Sequence, residues 1–482
     1  MYKCPGCGAP LRFDPKSQKL TCQYCGRLVD ALDESLAYAN EAEGQTPVGG
    51  TQYDMQTGEQ QYAALAYVCP NCGAKLLSTE ETAATFCSFC GSNVVLDERL
   101  DAEAAPQKII PFKVSMEECA SLYKQRLARA FFAPSYMKKD SEIAKFRGIY
   151  MPYWLYSYDT AGPVKTSGTV STRAGDFIVK TNYSLYQEID GHYSGIAYDA
   201  SASFSDTMSE AIAPFTTASS VPFKTSYMSG FYADVSDVPS EVYQSAAKGL
   251  ADEYFVDQVA QDPSYAIHGV DRSKVRLSMP YGKNALEKGY FPVWFLSSRT
   301  RDNKHINYAV VNGETGKVAA DIPVSFGKYL LMSLLAAIPI GLFIWFFIVE
   351  SSEMHITPMN LITLAGILSV VFFFLMNSGL NQAYVRESYL NDKGYLKKTG
   401  YEAASSMPFI RKIRYLWKPL VGISVLPIFF LWRPFEDLYF YIGAGVAFLM
   451  LILSVFDLVR IHNLQVQQPL PQFNKRGGDH NA

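Results

Sequence analysis

Apolar residues are concentrated towards the C-terminal end of this chain of 482 residues. Four runs after position 326 carry hardly any charge, and each approaches the roughly 20 residues that cross a bilayer as a helix. Buried helices of a soluble core are the alternative for any single run, but four runs side by side favour membrane spans. The predicted spans are Lys328 to Val349, Met359 to Met376, Leu416 to Trp432 and Leu438 to Val459.

Basic residues predict the orientation of these spans. The second connecting loop, residues 377–415, contains seven Lys and Arg residues, whereas the first, Glu350 to Thr357, contains none. The positive-inside rule then places the second loop and both termini in the cytoplasm. No span has an ionisable residue near its middle, which is typical of anchors rather than transporters. We therefore expect a multi-pass protein of the cytoplasmic membrane, with four transmembrane helices over 327–460 and a polar C-terminal tail over 461–482.

A short basic segment lies where the third span begins. Bases alternate there with apolar and aromatic residues, an arrangement that suits contact with anionic lipid headgroups of the bilayer. The ordinary positive-inside signal with an interfacial tryptophan is the alternative. The bases concerned are Arg411, Lys412, Arg414 and Lys418.

Residues 104–326 have the mixed pattern of a soluble, cytoplasmic α+β domain. Helical spacing runs from Ser115 to Ala133, where Ser115 and Glu118 stand at capping-box distance, and again from Pro239 to Gln261. The remainder alternates in the manner of strands. The predicted strands are Gly168 to Thr172, Phe177 to Leu185, Val275 to Met279, Val293 to Ser297 and Ile306 to Val311.

An internal similarity occurs within this domain. The segment Tyr150 to Leu155 resembles Tyr290 to Phe295, since both carry a tyrosine, a proline and a tryptophan in the same order. A glycine precedes each segment, at Gly148 and Gly289. Two duplicated half-units would explain the similarity. Chance within a tyrosine-rich chain is the alternative.

Eight of the nine cysteines form two copies of the pattern C-x2-C-x14-C-x2-C. A glycine follows the second cysteine of every pair and supplies the positive φ that closes a metal-binding knuckle. The ninth, Cys119, falls in a predicted helix and is expected to be a small buried residue. The candidate metal ligands are Cys4, Cys7, Cys22 and Cys25 in the first copy, and Cys69, Cys72, Cys87 and Cys90 in the second.

Two knuckles complete a tetrahedral Cys4 site without a position for water, so each site is expected to be structural rather than catalytic. Zinc suits such sulfur ligands, which predicts two structural Zn²⁺ ions. A rubredoxin-like iron site and disulfides are the alternatives. Because the first knuckle follows Met1 almost at once, with no signal peptide, we expect a reducing compartment, which disfavours disulfides.

An acidic segment separates the two cysteine patterns. Between Arg27 and Lys75 there is no Lys or Arg, and seven acidic residues occur. This composition predicts a first zinc ribbon over 1–30, a flexible acidic linker over 31–64 and a second zinc ribbon over 65–103. The second ribbon contains two bases against six acids, which would repel phosphates and argues against nucleic acid as a partner. The first ribbon could still contact phosphates, because it has five bases: Lys3, Arg12, Lys16, Lys19 and Arg27.

No catalytic pattern is present, so we expect no enzyme. The Gly-Lys pairs at Gly282, Gly316 and Gly327 lack the Ser or Thr of a Walker A loop. The histidines His192, His268 and His305 are scattered and belong to no metalloprotease motif.

The C-P-x-C-G-A-x-L knuckle with its C-x-x-C-G partner resembles the zinc ribbons of TFIIB type and the short ribbon of the helicase PriA. The larger pattern is similar to a family of bacterial membrane proteins with such ribbons. Three segments carry this resemblance: Lys108 to Phe112, Gly148 to Trp154 and Asn312 to Lys317. Relatives of this kind are encoded near PspA-like and SPFH-domain proteins, which implies a part in envelope stress or membrane maintenance.

Two functions are consistent with these observations. The first is a membrane-anchored adaptor, whose zinc ribbons recruit a cytoplasmic protein partner, of the PspA-like or SPFH-domain kind, to the inner face of the cell membrane. The alternative is a membrane-tethered nucleic-acid-binding protein. The charge of the second ribbon favours the adaptor.

Overall fold

The computed structural model describes residues 2–32, 51–54, 59–79, 86–92, 97–261, 270–300, 303–350, 358–391, 406–432 and 436–471. The α-helices within these ranges are α1 (Met116–Arg129), α2 (Asp140–Ile143), α3 (Asp206–Ile212), α4 (Glu241–Gln261), α5 (Arg272–Ser278), α6 (Phe326–Glu350), α7 (Pro358–Asn391), α8 (Phe409–Trp432) and α9 (Asp437–Val466). The strands are β1 (Leu11–Asp14), β2 (Lys19–Cys22), β3 (Leu28–Val29), β4 (Thr51–Asp54), β5 (Glu59–Val68), β6 (Lys75–Ser78), β7 (Asp97–Ala104), β8 (Lys108–Ile109), β9 (Arg147–Ala174), β10 (Phe177–Asp199), β11 (Val221–Pro222), β12 (Tyr232–Asp234), β13 (Tyr281–Arg299), β14 (His305–Asn312), β15 (Val318–Ala320) and β16 (Gln468–Pro469).

Both helices predicted for residues 104–326 are confirmed, as α1 and α4. These residues form a mixed sheet-and-helix domain, for which we keep the name soluble domain from the prediction. α1 begins at a capping box. The N–H of Glu118 donates to the Ser115 hydroxyl (3.3 Å), and the N–H of Ser115 donates to the Glu118 carboxylate (2.9 Å). Its buried face carries Cys119, Tyr123 and Leu127, so the ninth cysteine is the core residue that the sequence predicts. Burial raises the pKa of the Cys119 thiol.

The predicted strand Val275 to Met279 is wrong, because most of it belongs to helix α5. The carboxylate of Asp271 accepts hydrogen bonds from the N–H groups of Ser273 (3.1 Å) and Lys274 (3.3 Å), which caps a helix N-terminus. Five residues are too few to separate the helical period from the strand period.

Part of the predicted flexible linker is strand. Residues 59–64 form the first half of β5, whose Tyr62 and Ala64 are fully buried, and β4 pairs with β5. The acidic composition of the linker concealed an apolar stretch that continues into the second cysteine pattern. Residues 33–50 and 55–58 of the predicted linker lie outside the described residues.

One sheet of thirteen strands forms the centre of the soluble domain. The long strands β9 and β13 pair antiparallel, and each continues into a hairpin, β9 with β10 and β13 with β14. β6 pairs with β12, and β12 pairs with β9, so the strands around the second cysteine pattern belong to the same sheet. β1, β2 and β3 form a separate three-stranded sheet around the first.

The two similar aromatic segments lie directly opposite each other across the β9–β13 pair. The register places Met151 opposite Phe291, and Pro152 opposite Tyr290. An antiparallel pair in this register has a local twofold axis between Met151 and Phe291. The two segments therefore occupy equivalent positions about that axis.

Other contacts around this axis match as well. The ring N–H of Trp154 donates to the carbonyl of Val238 (2.8 Å), just before α4, and the ring N–H of Trp294 donates to the carbonyl of Val114 (2.9 Å), just before α1. β12 runs parallel to β9, and β8 runs parallel to β13. Each half thus supplies a short strand, a helix and a long hairpin in the same order. This arrangement favours two related half-units over a chance similarity.

Four helices, α6 to α9, are long and apolar enough to cross a membrane. α7, α8 and α9 pack closely through small residues, as membrane helices do. A side-chain carbon added at Gly422 of α8 would lie 2.2 Å from the Ser369 hydroxyl of α7, and one at Gly443 of α9 would lie 2.6 Å from the Phe429 ring. α6 matches its predicted span closely, and α7 continues to Asn391. α8 begins at Phe409, before the predicted start at Leu416. α9 continues to Val466, beyond the predicted end at Val459.

One ion pair lies inside the helical bundle. The ammonium group of Lys418 in α8 lies 2.6 Å from the carboxylate of Asp457 in α9, and their side chains are 17% and 4% exposed. Pairing offsets the large cost of burying either charge alone. The headgroup contact predicted for Lys418 is corrected accordingly, since this ammonium group binds Asp457.

The soluble domain is joined to the helical bundle around Asp321. The carboxylate of Asp321 accepts hydrogen bonds from the N–H of Tyr308 (3.3 Å) and the amide of Gln468 (3.2 Å), and the Arg386 guanidinium lies 3.4 Å away. Burial raises the pKa of Asp321 to about 6, against the opposing effect of Arg386. Strand β16, which follows α9, also pairs with β14 of the soluble domain.

Candidate metal centres and an exposed hairpin

The first cysteine set lies at one end of the β1–β2–β3 sheet. The sulfur of Cys4 lies 3.6 Å from that of Cys25, and the sulfur of Cys7 lies 3.5 Å from that of Cys22. All four sulfur atoms lie within 4.8 Å of one another. The backbone N–H of Cys25 contributes most to lowering the pKa of Cys22 to about 6. Against the effect of the Ala9 N–H, the Cys22 thiol contributes most to raising the pKa of Cys7 to about 12.

The second cysteine set lies between β5, β6 and β7. The sulfur of Cys69 lies 3.8 Å from that of Cys90, and the sulfur of Cys72 lies 3.7 Å from that of Cys87. These four sulfur atoms also lie within 4.8 Å of one another. The structure therefore brings together each of the two predicted ligand sets.

Every knuckle closes through its glycine, as predicted. The N–H of Gly8 donates to the carbonyl of Cys4 (2.8 Å), and the N–H of Gly73 donates to the carbonyl of Cys69 (2.8 Å). Both glycines have φ near +74°, at 73° and 74°. A side chain would strain this left-handed conformation.

The sulfur spacing fits a tetrahedral metal ion. Metal–sulfur bonds of about 2.3 Å place the corners of a Cys4 tetrahedron about 3.8 Å apart. The distances in the two sets, 3.5–3.6 Å and 3.7–3.8 Å, are close to this value. Four sulfur ligands leave no open position, so the arrangement suits a structural ion.

The two sets differ in burial. Cys7 and Cys25 of the first are exposed, whereas all four cysteines of the second are buried. The second set lies beside the β13–β14 hairpin. The Tyr308 hydroxyl donates to the carbonyl of Phe89 (2.7 Å), and the Arg299 guanidinium donates to the carbonyl of Cys90 (2.5 Å).

Two polar residues beside the second set escaped the sequence analysis. The Ser92 hydroxyl lies 2.9 Å from the sulfur of Cys90, and the Asn71 amide donates to the same sulfur (3.6 Å). Donors of this kind orient the ligands of a metal site. The neighbouring Cys69 thiol and, to a smaller extent, Ser92 lower the pKa of Cys90. The available signal was their position in sequence, since Asn71 lies between Cys69 and Cys72, and Ser92 follows the glycine after Cys90.

Residues 2–32, which we call the first cysteine module, are docked on the soluble domain. The Tyr2 hydroxyl lies 2.8 Å from the hydroxyl of Thr225, and the N–H of Phe13 donates to the carbonyl of Ser229 (3.0 Å). The Gln18 amide donates to the carbonyl of Phe112 (2.7 Å). The second module is therefore part of the main sheet, and the first is bound to the surface of the soluble domain.

The β9–β10 hairpin forms an exposed arm. β13 pairs with β9 only as far as Thr160, so the last part of the hairpin has two strands with solvent on both faces. Every residue from Ser171 to Ser184 is exposed, and we refer to this segment as the arm. It carries large apolar side chains: Phe177 (77% exposed), Ile178 (70%), Val179 (50%) and Tyr183 (41%).

The arm is far from the four apolar helices, α6 to α9, along the sheet. β16, which follows α9, pairs with the start of β14, and that end of β14 pairs with the end of β13. The end of β13 pairs with the start of β9, opposite the arm. β9 has 28 residues, which is roughly 90 Å of extended strand at about 3.3 Å per residue.

Two of the three scattered histidines, His192 and His305, lie in the described part of the chain. His192 is exposed and lies 2.5 Å from the carboxylate of Asp159, and His305 starts β14. His268 lies outside the described residues. Among the described residues, the two cysteine sets are the groups of three or more Cys, His, Asp or Glu that are close enough to hold an ion.

These features define the class of protein: a chain with two Cys4 metal-binding groups, a mixed sheet-and-helix domain and four helices long and apolar enough to cross a membrane. A protein of Bacillus subtilis (strain 168), described as uncharacterized protein YdjG, is 29% identical to the chain over 333 residues. The match covers 68% of this chain and 91% of that protein. No family model and no solved structure matches the chain.

Proposed function

We propose that the chain is a membrane-anchored zinc-ribbon adaptor that recruits a cytoplasmic protein to the inner face of the cytoplasmic membrane. The exposed arm carries this proposal. Large apolar side chains in contact with water mark binding surfaces on folded proteins. A two-stranded hairpin with both faces in water is only marginally stable alone, so a partner that covers it would stabilise it.

One face of the arm is better suited to a protein partner than the other. The register places Phe177 opposite Ala174 and Val179 opposite Thr172, so these side chains share a face with Tyr183. The other face carries Ile178 and Lys180, and Arg173 lies opposite Ile178 on the paired strand. We assign the first face as the docking surface.

The membrane part of the proposal rests on the four apolar helices and on the basic loop between the second and third. The positive-inside rule places that loop, both termini and the soluble domain in the cytoplasm. Arg411, Lys412 and Arg414 at the start of α8 are left to contact anionic headgroups.

The metal part of the proposal is two structural Zn²⁺ ions. Closed sulfur sites suit zinc and leave no position for substrate, so we propose no catalytic role. The second ion would hold the Cys87–Cys90 knuckle against β13 and β14, and the first would hold the docked module. Both ions would thus shape the soluble domain that presents the arm.

The resemblance to bacterial membrane proteins with TFIIB-type ribbons suggests which partners to test first. These are PspA-like and SPFH-domain proteins, and the process is envelope stress or membrane maintenance. The sequence similarity to YdjG does not indicate an activity for this chain, because that protein is described as uncharacterized.

Affinity capture from detergent extracts tests the adaptor. The Phe177→Ser, Val179→Ser double variant changes the proposed docking face, and the Lys180→Ser, Ser184→Ala double variant is a matched control on the other face. We expect a PspA-like or SPFH-domain protein to be captured by the wild type and by the control, and to be lost with the first variant. Equal capture by both variants would remove the arm from the proposal.

The same two variants test the adaptor in cells and separate it from the nucleic-acid alternative. A fluorescent partner should lie at the membrane with the wild type and the control, and disperse with the Phe177→Ser, Val179→Ser variant. If the partner stays in place with both variants while the full chain in detergent retains DNA at physiological salt, nucleic-acid binding replaces the adaptor, and its affinity should fall steeply as salt rises.

A further inference from the structure

A cavity of about 530 Å³ lies where the soluble domain meets the membrane helices. Its volume is within the usual range of ligand sites, roughly 300–1,000 Å³. α7 and α9 form its main walls, and Phe132 and Val324 of the soluble domain close one end. Tyr329, in the first turn of α6, lines a third side.

The cavity has a polarity gradient along its length. α7 and α9 both run towards the soluble domain, since Arg386 of α7 contacts Asp321 and Asn463 of α9 donates to the carbonyl of Val324 (3.0 Å). Along α7 the lining changes from Leu375 to Ser378 and Gln382. Along α9 it changes from Leu458 to His462 and Gln465 in the same direction.

Hydrogen bonds and close helix packing fix the polar end of the cavity. The Gln465 amide donates to the Gln382 carbonyl oxygen (2.9 Å) and to the backbone carbonyl of Gly379 (3.1 Å). α7 and α9 cross tightly at this level, because a side-chain carbon on Gly379 would lie 2.8 Å from Ile461. Ser378 and His462 remain exposed beside this crossing.

We propose that this cavity binds one phospholipid of the surrounding bilayer, with an acyl chain along Leu375 and Leu458 and the phosphate at Ser378, Gln382 and His462. The proposal rests on the membrane location proposed above. The apolar end faces the bilayer and the polar end faces the soluble domain, which is the orientation of a lipid in one leaflet. Hydroxyl, amide and imidazole groups are suitable hydrogen-bond donors to a phosphate.

Photocrosslinking in nanodiscs tests the site. The full chain is reconstituted with a phosphatidylethanolamine that carries a diazirine on one acyl chain, and labelled peptides are identified by mass spectrometry. We expect labelling of 375–382 and 458–465 to exceed that of the exposed α8 residues Ile428, Phe430 and Leu431 by about tenfold. This ratio corresponds to about 1.4 kcal/mol.

Variants that fill the cavity should abolish the preference. Ser378→Trp and Leu375→Trp both replace exposed lining residues, so either can be used if the other does not fold. Ile428→Trp is the matched control, since Ile428 is 53% exposed on α8 and does not line the cavity. The preference should fall about tenfold in the first two and persist in the control.

Even labelling of all exposed helix faces in the wild type would overturn the proposal, as would labelling that both cavity variants leave unchanged. A separate flotation assay with liposomes distinguishes this result from failure of the membrane location. If the chain floats with liposomes but labels evenly, only the lipid site is wrong. If it does not float, the membrane-anchored function and the lipid site are both wrong.

Discussion

Single residues in the aromatic core show why the backbone beside its stacked rings requires glycine. Phe112 and Phe231 stack with ring centroids 4.2 Å apart. A side-chain carbon added at Gly148 would lie 2.4 Å from the Phe231 ring, and one at Gly313 would lie 2.6 Å from Phe112. The backbone must approach these rings closely, so even a methyl group overfills the site.

Gly148→Ala should therefore destabilise the soluble domain by about 1–3 kcal/mol, the usual cost of overpacking. Gly249→Ala in α4 is the control, because nothing lies within 4 Å of its added carbon and alanine favours a helix interior by up to about 1 kcal/mol. Thermal unfolding of the purified protein measures both. Equal effects of the two substitutions would show that the rings move aside.

Asp321 should make the junction between the soluble domain and the helices sensitive to pH. Burial raises its pKa from 3.8 to about 6, so the folded protein binds this proton more tightly than the unfolded chain. The stability contributed by this proton is fully present below pH 3.8 and is lost as the pH rises through about 6.

Asp321→Asn should remove this dependence, since the amide stays neutral at every pH. We expect the melting temperature of the wild type in detergent to fall relative to that of the variant between pH 4 and pH 7. Other groups titrate in both proteins, so the difference between the two profiles is the quantity to measure. Parallel profiles would mean that Arg386 compensates the buried charge at all pH values.

At the scale of elements, the two cysteine modules have the same spacing but different surroundings. The second lies in the thirteen-stranded sheet and contacts the β13–β14 hairpin through Phe89 and Cys90. The first forms its own small sheet and is docked through hydrogen bonds to residues such as Thr225 and Ser229. Loss of a ligand should therefore spread further from the second module than from the first.

Cys87→Ser should increase hydrogen exchange in β13 and β14, whereas Cys22→Ser should increase it in residues 2–32 and at their docking site alone. Metal binding and folding are coupled in small modules of this kind. Mass-spectrometric hydrogen exchange of the full chain distinguishes the two patterns. Identical patterns would show that the two modules unfold together.

Elemental analysis of the purified chain should find two zinc ions, and one ion in each of these single variants. Each Cys4 set closes its own tetrahedron and shares no ligand with the other. Iron with a visible charge-transfer band, or one ion in the wild type, would contradict the prediction.

At the scale of the whole molecule, connectivity places the start of α6, the end of α7, the start of α8 and the end of α9 near the soluble domain. Arg386, Asn463 and Lys328 all contact that domain or the segment that leads from it. In the proposed topology, the end of α6 and the start of α7 lie on the other side of the membrane from that domain.

A reporter that is active only outside the cytoplasm should stay silent when fused after Ala482 and become active when inserted near Ser352. The seven bases of the loop 377–415 are the physical cause, because positive loops are retained in the cytoplasm. The reverse pattern would invert the topology and expose the cysteines to an oxidising compartment.

Local signals were enough for several features of this protein. Cysteine spacing with its following glycines predicts two closed ligand sets, because a knuckle is a short-range turn. Long apolar runs predict the four helices, because the length needed to cross a bilayer is set by its thickness. The Ser115 and Glu118 box predicts the start of α1, because both partners lie within one turn.

Only the tertiary structure decided how these pieces are arranged. The pairing of Met151 with Phe291, the inclusion of β5 in the main sheet and the docking of the first module depend on contacts between residues far apart in sequence. The same holds for the Lys418–Asp457 pair, whose partners lie on different helices. Periodicity within one segment carries no information about which distant segment will cover it, so these relations could be read only from the folded chain.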